Sequence, residues 1–427
     1  MPPPLASSSL RAPPSAALAV WSAAVAHLGT VLVVGASLAG WRAAEALRRH
    51  GFDGRIQVVG AEGRMPYDRP PLSKELLAGS WEPARLALVG AESSGLAIEW
   101  HLGQPAVGLE LAARQLCLAD GSRLSWDGLV IATGATPRQL PELPGRRSLS
   151  GLFTLRTLDD ALALRSALEA GPRVAVVGAG FIGAEVAATC RQRGLEVTLI
   201  EALAVPLGRA LGPRLGQVIA DLHRDQGVVL HLGVGVRQVL GEHRVEGLEL
   251  SDGRLVAADV VVVGIGVRPE TRWLEGSGIA LDDGVLCDAA CRASSPGVVA
   301  AGDVARWPNP RFDQVMRLEH WTNAGEQADA AVRALLAGEG DTQPFAPVPF
   351  FWSDQYDRKI QFAGHASSDD ALRIVDGSLE ARRFVALFER GGKLRGVLGM
   401  NRPRLVMQGR RLLREEASFE QALAAFA

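Results

Sequence analysis

The chain has 427 residues, more than one hydrophobic core ordinarily serves, so two or three domains are expected. Apolar residues make up 48% and charged residues 22%, the mix of an ordinary globular enzyme, and a formal net charge of −2 argues against a surface built to coat nucleic acid. The four cysteines, Cys117, Cys190, Cys287 and Cys291, form no C-x-x-C pair; that usage excludes a disulfide framework and a zinc site and suits a reducing, cytoplasmic setting.

Met1 to Ser15 is rich in Pro, Ser and Ala, and Ala16 to Leu28 is apolar. An export signal would want a basic start, and only Arg11 supplies one. The apolar run is also far shorter than the roughly 20 residues of a membrane span. Residues 1–28 are therefore expected to be a disordered extension, and no other segment could cross a membrane.

The first predicted unit is the strand Thr30-Val-Leu-Val-Val, the turn Gly35-Ala-Ser37-Leu-Ala-Gly40, a helix from Trp41 to His50, and a strand from Arg55 to Gly60 that ends near Glu62. A second unit repeats this plan. Arg173-Val-Ala-Val-Val leads to Gly178-Ala-Gly180-Phe-Ile-Gly183, a helix to Arg193 and the strand Glu196 to Glu201. Near-continuous apolar strands imply parallel sheets covered on both faces. Trp126 to Gly134 and Asp259 to Gly266 read as returning strands, Gly297 to Asp303 as a third, followed by a helix from about Asn323 to Ala337. Beyond the Gly-rich break at 338–342, Pro349 to Trp352, Lys359 to Ala363, Ala381 to Glu389 and Leu394 to Gly399 read as antiparallel strands, with a terminal helix from Pro403 to Leu413.

The second turn carries a nucleotide signature. In Gly178-x-Gly180-x-x-Gly183, Gly178 permits the tight turn, Gly180 lets backbone approach a pyrophosphate, and Gly183 lets helix and strand pack. The helix N-terminus adds free N–H groups and partial positive charge. Glu201, about 20 residues on, suits a ribose with free hydroxyls and repels a 2′-phosphate, and no Arg follows until Arg209, so NADH is favoured over NADPH. The first turn has Ser37 in the middle, a weaker signal, although the hydroxyl could donate to a phosphate oxygen and Glu62 supplies the ribose acceptor.

Two distant segments strengthen the first unit. Ala132-Thr133-Gly134 and Ala300-Ala-Gly302-Asp303 each follow an apolar strand. With Gly35 to Gly40 and Glu62, they resemble the fingerprints of FAD-dependent pyridine-nucleotide oxidoreductases. That resemblance implies that Asp303 hydrogen-bonds the ribityl or pyrophosphate part of FAD. Disulfide reductases of this superfamily carry a cysteine pair after the first helix, and peroxidase relatives a single one; here that stretch reads Pro66-Tyr-Asp-Arg-Pro-Pro-Leu-Ser-Lys74, without sulfur. A thiolate nucleophile is therefore missing for either chemistry. Cys287 and Cys291 are expected to be small packing residues.

The Pro66–Lys74 segment, Arg317-Leu-Glu-His-Trp321-Thr-Asn-Ala324 and Pro349-Phe-Phe-Trp352-Ser-Asp-Gln-Tyr356 resemble the NADH-dependent ferredoxin reductases that serve cytochrome P450 and ring-hydroxylating dioxygenase systems, from about Thr30 to the C-terminus. The resemblance implies non-covalent FAD, NADH as donor and a [2Fe–2S] ferredoxin as transient acceptor. It implies an α/β fold of two Rossmann-like dinucleotide-binding domains plus a C-terminal α+β domain. The expected divisions are 29–137 with 265–340 for FAD, 138–264 for NAD and 341–427 for the C-terminal domain. It also pairs Lys74, at the flavin N5, with Glu185. The negative charge of the reduced ring would be favoured by that ammonium.

Arg69 and Arg138 are candidates for the FAD diphosphate, because guanidinium forks match phosphate oxygens. The helix start at Glu319-His320-Trp321 would aim N–H groups at the ring edge. Trp321 and Trp352 would wall the ring, and His320 reads as a packing or hydrogen-bonding residue rather than a base. Ala39, Val107 and Ala324 complete the expected FAD set; Phe181, Ile182, Arg209 and Gly266 complete the NADH set. No metal ligands are expected. Arg402, Arg404, Arg410, Arg411 and Arg414, with Arg306 and Arg311, are a candidate basic patch for an acidic ferredoxin. An NADH oxidase or quinone reductase, or a flavoprotein resembling apoptosis-inducing factors, remains an alternative. Nothing demands more than a monomer or weak dimer.

Overall fold

A computed structural model describes residues 28–90, 95–140, 149–338, 340, 342–367 and 369–427. The proposed extension therefore lies almost wholly outside the described residues.

The first sheet is parallel throughout, in the order Val298–Ala300, Gly128–Ile131, Thr30–Val34, Arg55–Gly60, Ile98–Leu102. Its central strands bury every side chain from Val31 to Val34 and Leu129 to Ile131, as their unbroken apolar runs require. The helix Leu38–Arg49 lies on one face, with Ala43, Ala44 and Leu47 packed against Val31, Val33 and Val58. Helix Trp321–Ala337 packs beside it in the same core through Ala324, Ala328 and Ala331. One strand of this sheet thus comes from far along the chain.

The second sheet is likewise parallel, ordered Val229–Leu232, Val197–Glu201, Val174–Val177, Val260–Val263, Leu152–Thr154. Helix Leu158–Ala167 follows the strand Leu152–Thr154, and helix Phe181–Gln192 follows Val174–Val177. An antiparallel ribbon, Ala135–Pro137 with Val267–Pro269, stands where the chain passes between the two sheets.

The third sheet is antiparallel, ordered Phe350–Gln355, Arg358–Gly364, Lys393–Met400, Arg383–Arg390, Ala371–Ser378. Helices Pro403–Arg414 and Phe419–Phe426 pack near it. Two of these elements escape the sequence reading. The strand Ala371–Ser378 carries Asp376 and Gly377 and a register shift after Ile374, so it lacks the alternation of a strand. The last helix is short and is fixed by a capping box between Ser418 and Gln421. The opposite face of the third sheet meets helix Gly208–Asp225, whose Leu211, Leu215 and Ile219 join Phe362, Phe384 and Leu398 in one core.

Among the described residues, no helix is long and apolar enough to cross a membrane, and no cluster could hold a metal ion.

Candidate functional site

The first Gly-rich turn has no room for side chains at its outer positions. A Cβ on Gly35, whose φ is +118°, would sit 2.1 Å from the Ala132 carbonyl oxygen. On Gly40 it would sit 1.8 Å from the Gly35 carbonyl oxygen. Ser37 begins the helix, and its hydroxyl accepts from Arg69 Nε at 3.1 Å rather than capping the helix. Arg69 also pairs with Glu62 at 2.6 Å, and the Tyr67 hydroxyl donates to the same carboxylate at 2.5 Å. The expected ribose acceptor and the expected phosphate fork are thus brought together beside the turn. Thr133 donates to the Glu270 carbonyl at 2.7 Å, and Gly134 turns with φ +70°. Ala39 lies under the Gly302 loop, where a Cβ on Gly302 would approach it to 3.0 Å.

A groove runs over these residues. One part reaches Glu62, Val107 and Trp273; the other reaches Lys74, Asp303, Glu319, His320, Trp321, Ala324 and Trp352. Ser37, Arg69, Ala132, Gly134 and Arg156 line both parts, so the groove is continuous and elongated, the shape a dinucleotide needs.

Lys74 and Glu185 face each other at 3.4 Å with side chains 12% and 5% exposed. Burial pushes the Glu185 carboxyl up, while Lys74 and hydrogen bonds from Ser73 at 2.6 Å, Ser353 at 2.9 Å and the Asp354 N–H at 3.2 Å oppose that shift. Asp68 is likewise raised by burial and accepts the Trp321 indole N–H at 2.7 Å, which fixes that ring. Trp321 and Trp352 meet edge to face at 6.1 Å. His320 precedes the helix Trp321–Ala337, and burial lowers its imidazole to about 4, so it is neutral near pH 7. It stands 5.2 Å from the Phe351 ring, in keeping with a packing role. Glu319 is raised by burial, with Arg317 at 2.9 Å opposing.

Arg156 is the cation that sequence reasoning missed. It lines both parts of the groove and pairs with Asp303 at 2.9 Å. Its place just before a helix with a Thr157–Asp160 capping box was the available signal, since such a cap pins the preceding residue. Arg138 does not take that place. It is exposed, donates to the Val267 carbonyl at 3.1 Å, and is absent from the groove lining, because the ribbon Ala135–Pro137 carries it away.

The second turn repeats the first. A Cβ on Gly178 would meet the Gly264 carbonyl oxygen at 2.3 Å, and on Gly183 the Gly178 carbonyl oxygen at 1.9 Å, whereas one on Gly180 would meet nothing within 4 Å. That open space over a helix start, with Glu201, Arg209 and Gly266 around it, forms a second cleft. Glu201 accepts the Ala179 and Leu203 N–H groups at 2.7 and 2.8 Å. Phe181 lines both this cleft and the Lys74 end of the groove, and Ile182 and Glu185 line the latter, so the two sites converge there. The residues present fit two dinucleotides meeting end to end.

Among the described residues, no cysteine lines either site. Cys190 and Cys291 are buried and pushed up to about 12, and burial also raises Cys287, so these thiols stay protonated.

The expected basic patch is largely consumed by structure. Arg402 pairs with Asp376, and Arg306 with Asp282 at 2.6 Å. Arg410 is buried 3.2 Å from Glu326 and over the Phe350 ring. Arg311 donates to the last carbonyls of the helix Pro403–Arg414. Arg404, Arg411 and Arg414 remain exposed.

Residues 29–328 match the family model described as pyridine nucleotide-disulphide oxidoreductase, and residues 350–426 match the one described as reductase C-terminal. The chain is 36% identical to rhodocoxin reductase of Rhodococcus erythropolis over 389 residues, covering 91% of this chain and 90% of the relative. It is 37% identical over 393 residues to the ferredoxin–NAD(+) reductase subunit of the benzene 1,2-dioxygenase system of Pseudomonas putida, covering 91% and 93% of the two chains. The crystal structure of the ferredoxin reductase for the CYP199A2 system of Rhodopseudomonas palustris superposes with a TM-score of 0.87 at 36% identity, over 93% of this chain and 98% of that one. Two converging dinucleotide sites, the matched family model and relatives of this likeness agree, and the chain belongs to the pyridine nucleotide-disulphide oxidoreductase family.

Proposed function

We propose that this protein is an NADH-dependent ferredoxin reductase, feeding a [2Fe–2S] ferredoxin that serves a cytochrome P450 or a ring-hydroxylating dioxygenase. The observation that carries the reading is a thiol-free junction of the two dinucleotide sites, with a buried Lys74–Glu185 pair at its centre. FAD, when bound, accepts a hydride from NADH and gives up the electrons one at a time, which matches a one-electron acceptor.

Orientation and electrostatics are what the chain must supply. The open turn at Gly180 takes the NADH pyrophosphate, and Glu201 takes the adenosine ribose. Phe181 and Ile182 lead the nicotinamide end toward Lys74. Arg69 and Arg156 neutralise the FAD diphosphate, Glu62 takes its ribose, and Asp303, held by Arg156, takes the ribityl side. The Lys74 ammonium sits at the reactive edge of the ring, kept there by Glu185. Trp321, locked by Asp68, and Trp352 wall the ring and exclude water. We assign FAD to 29–137 with 265–340, NAD to 138–264, and the acceptor side to 341–427, in a monomer or weak dimer.

The test couples NADH oxidation to cytochrome c reduction with and without an added [2Fe–2S] ferredoxin. Reduction dependent on ferredoxin is expected. Equal cytochrome reduction without it contradicts the assigned acceptor.

A further inference from the structure

Glu185 is gripped from three separate parts of the molecule. Its own helix belongs to the second parallel sheet, Ser73 comes from the loop of the first, and Ser353 and the Asp354 N–H come from the edge strand Phe350–Gln355 of the antiparallel sheet. Both hydroxyls are sealed from water: Ser73 is 2% exposed and Ser353 0%. The Ser353 oxygen accepts from Gln355 Nε2 at 3.2 Å, which occupies a lone pair and leaves its proton directed at Glu185 Oε1. Thr189 in turn donates to the Ser73 carbonyl at 2.8 Å and steadies the opposite side.

We propose that Ser353 is a positioning residue for hydride transfer: from the C-terminal sheet it holds the Glu185 carboxylate ionised and turned toward Lys74. The inference rests on the assignment of Lys74 to the ring edge. Donors aimed at a buried carboxylate favour its charged form, and a charged Glu185 is what holds the facing Lys74 ammonium in place. The charged group facing Glu185 is Lys74; Asp68 faces Lys74 from the preceding segment, with Arg42 acting on Asp68. The Asp354 carboxylate is turned away, toward Lys359 on the neighbouring strand at 3.4 Å. The C-terminal sheet is then part of the reducing machinery and not only a face for the acceptor.

The test uses the FAD-loaded protein and three variants, Ser353→Ala, Ser353→Thr and Ser73→Ala. Two profiles are read against pH: the single-turnover rate of flavin bleaching by NADH, and labelling of Lys74 by a small amine reagent, followed by peptide mass spectrometry. In Ser353→Ala the acid limb of bleaching is expected to move up by about one pH unit, a ~10-fold change in the ionisation constant. Lys74, no longer held by a fixed carboxylate, is expected to label faster at every pH, and Ser353→Thr is expected to restore both. Profiles of Ser353→Ala that superpose on the parent overturn the proposal, whatever happens to its melting temperature. Should Ser353→Ala not fold, Ser73→Ala is expected to give the same displacement from the other oxygen, and superposition there overturns it equally. A parent protein that NADH fails to bleach sinks the functional reading instead, while the labelling profile still reports on Ser353.

Discussion

The two Gly-rich turns build the same backbone from different residues. At their outer positions they are nearly interchangeable: a Cβ would meet a carbonyl oxygen at 2.1 and 1.8 Å in the first unit, and at 2.3 and 1.9 Å in the second. At the middle position they diverge, Ser37 in one and Gly180 in the other, and Gly180 faces open space. Their acids differ too. Glu62 is held by the side chains of Arg69 and Tyr67, Glu201 by backbone N–H groups. The outer glycines answer to packing of the fold, whereas the middle position is free of that constraint.

The sharpest break of that comparison comes from substituting an outer glycine in each unit and the middle glycine of the second. Gly40→Ala and Gly183→Ala each force a methyl group into a backbone carbonyl and are expected to cost about 3 kcal/mol or more, with loss of bound FAD in the first case. Denaturant unfolding and flavin absorbance measure this. Gly180→Ser, which copies the first turn into the second, is expected to leave the melting temperature unchanged, since Ser suits a helix start, while raising the KM for NADH. A melting loss as large as that of Gly183→Ala would erase the distinction drawn between the positions.

Next in size is the pH response of the helix behind the second unit. His223 is buried with its imidazole lowered to about 4 by desolvation, against about 6.5 in the unfolded chain. A depressed folded value contributes stability that is present above the unfolded pKa and is lost as pH falls through about 4. The loss is on the order of 3 kcal/mol and is read from urea midpoints between pH 7 and 4. Replacing His223 with Gln is expected to flatten that dependence.

Glu201→Gln keeps an acceptor for the backbone but removes the charge, and the preference for NADH over NADPH is expected to fall ~10-fold in kcat/KM, about 1.4 kcal/mol. The smallest effect belongs to Asp259, lowered to about 2 first by its side-chain hydrogen bond from Arg173. Its contribution is present above the unfolded value of about 3.9 and is lost as pH falls toward 2. The pair is nearly half exposed, so Asp259→Asn is expected to cost under ~1 kcal/mol in low salt and less in high salt.

Periodic apolar strands and glycine spacing made the two parallel sheets readable, because burial on both faces and close backbone contact leave direct marks on residue type. The convergence of Lys74, Glu185, Asp303, Trp321 and Trp352 was legible through motif resemblance. Arg138 and Arg156 show where that reading fails: both are arginines near a strand end, and only tertiary geometry decides which one turns into the groove. The arginine-rich helix Pro403–Arg414 failed similarly, since the partners that neutralise Arg402 and Arg410, Asp376 and Glu326, are remote in sequence. Ser73 and Ser353 left no signal, because a buried serine is distinguished only by what its hydroxyl touches.

The most direct measurement is an anaerobic titration of the purified protein with NADH, followed by its visible absorbance. A yellow protein is expected, one that bleaches with about one equivalent of NADH, as a two-electron donor to one flavin requires, and regains its colour when oxidised ferredoxin is added. A preparation that binds no FAD, or that stays yellow in excess NADH, would contradict the assignment.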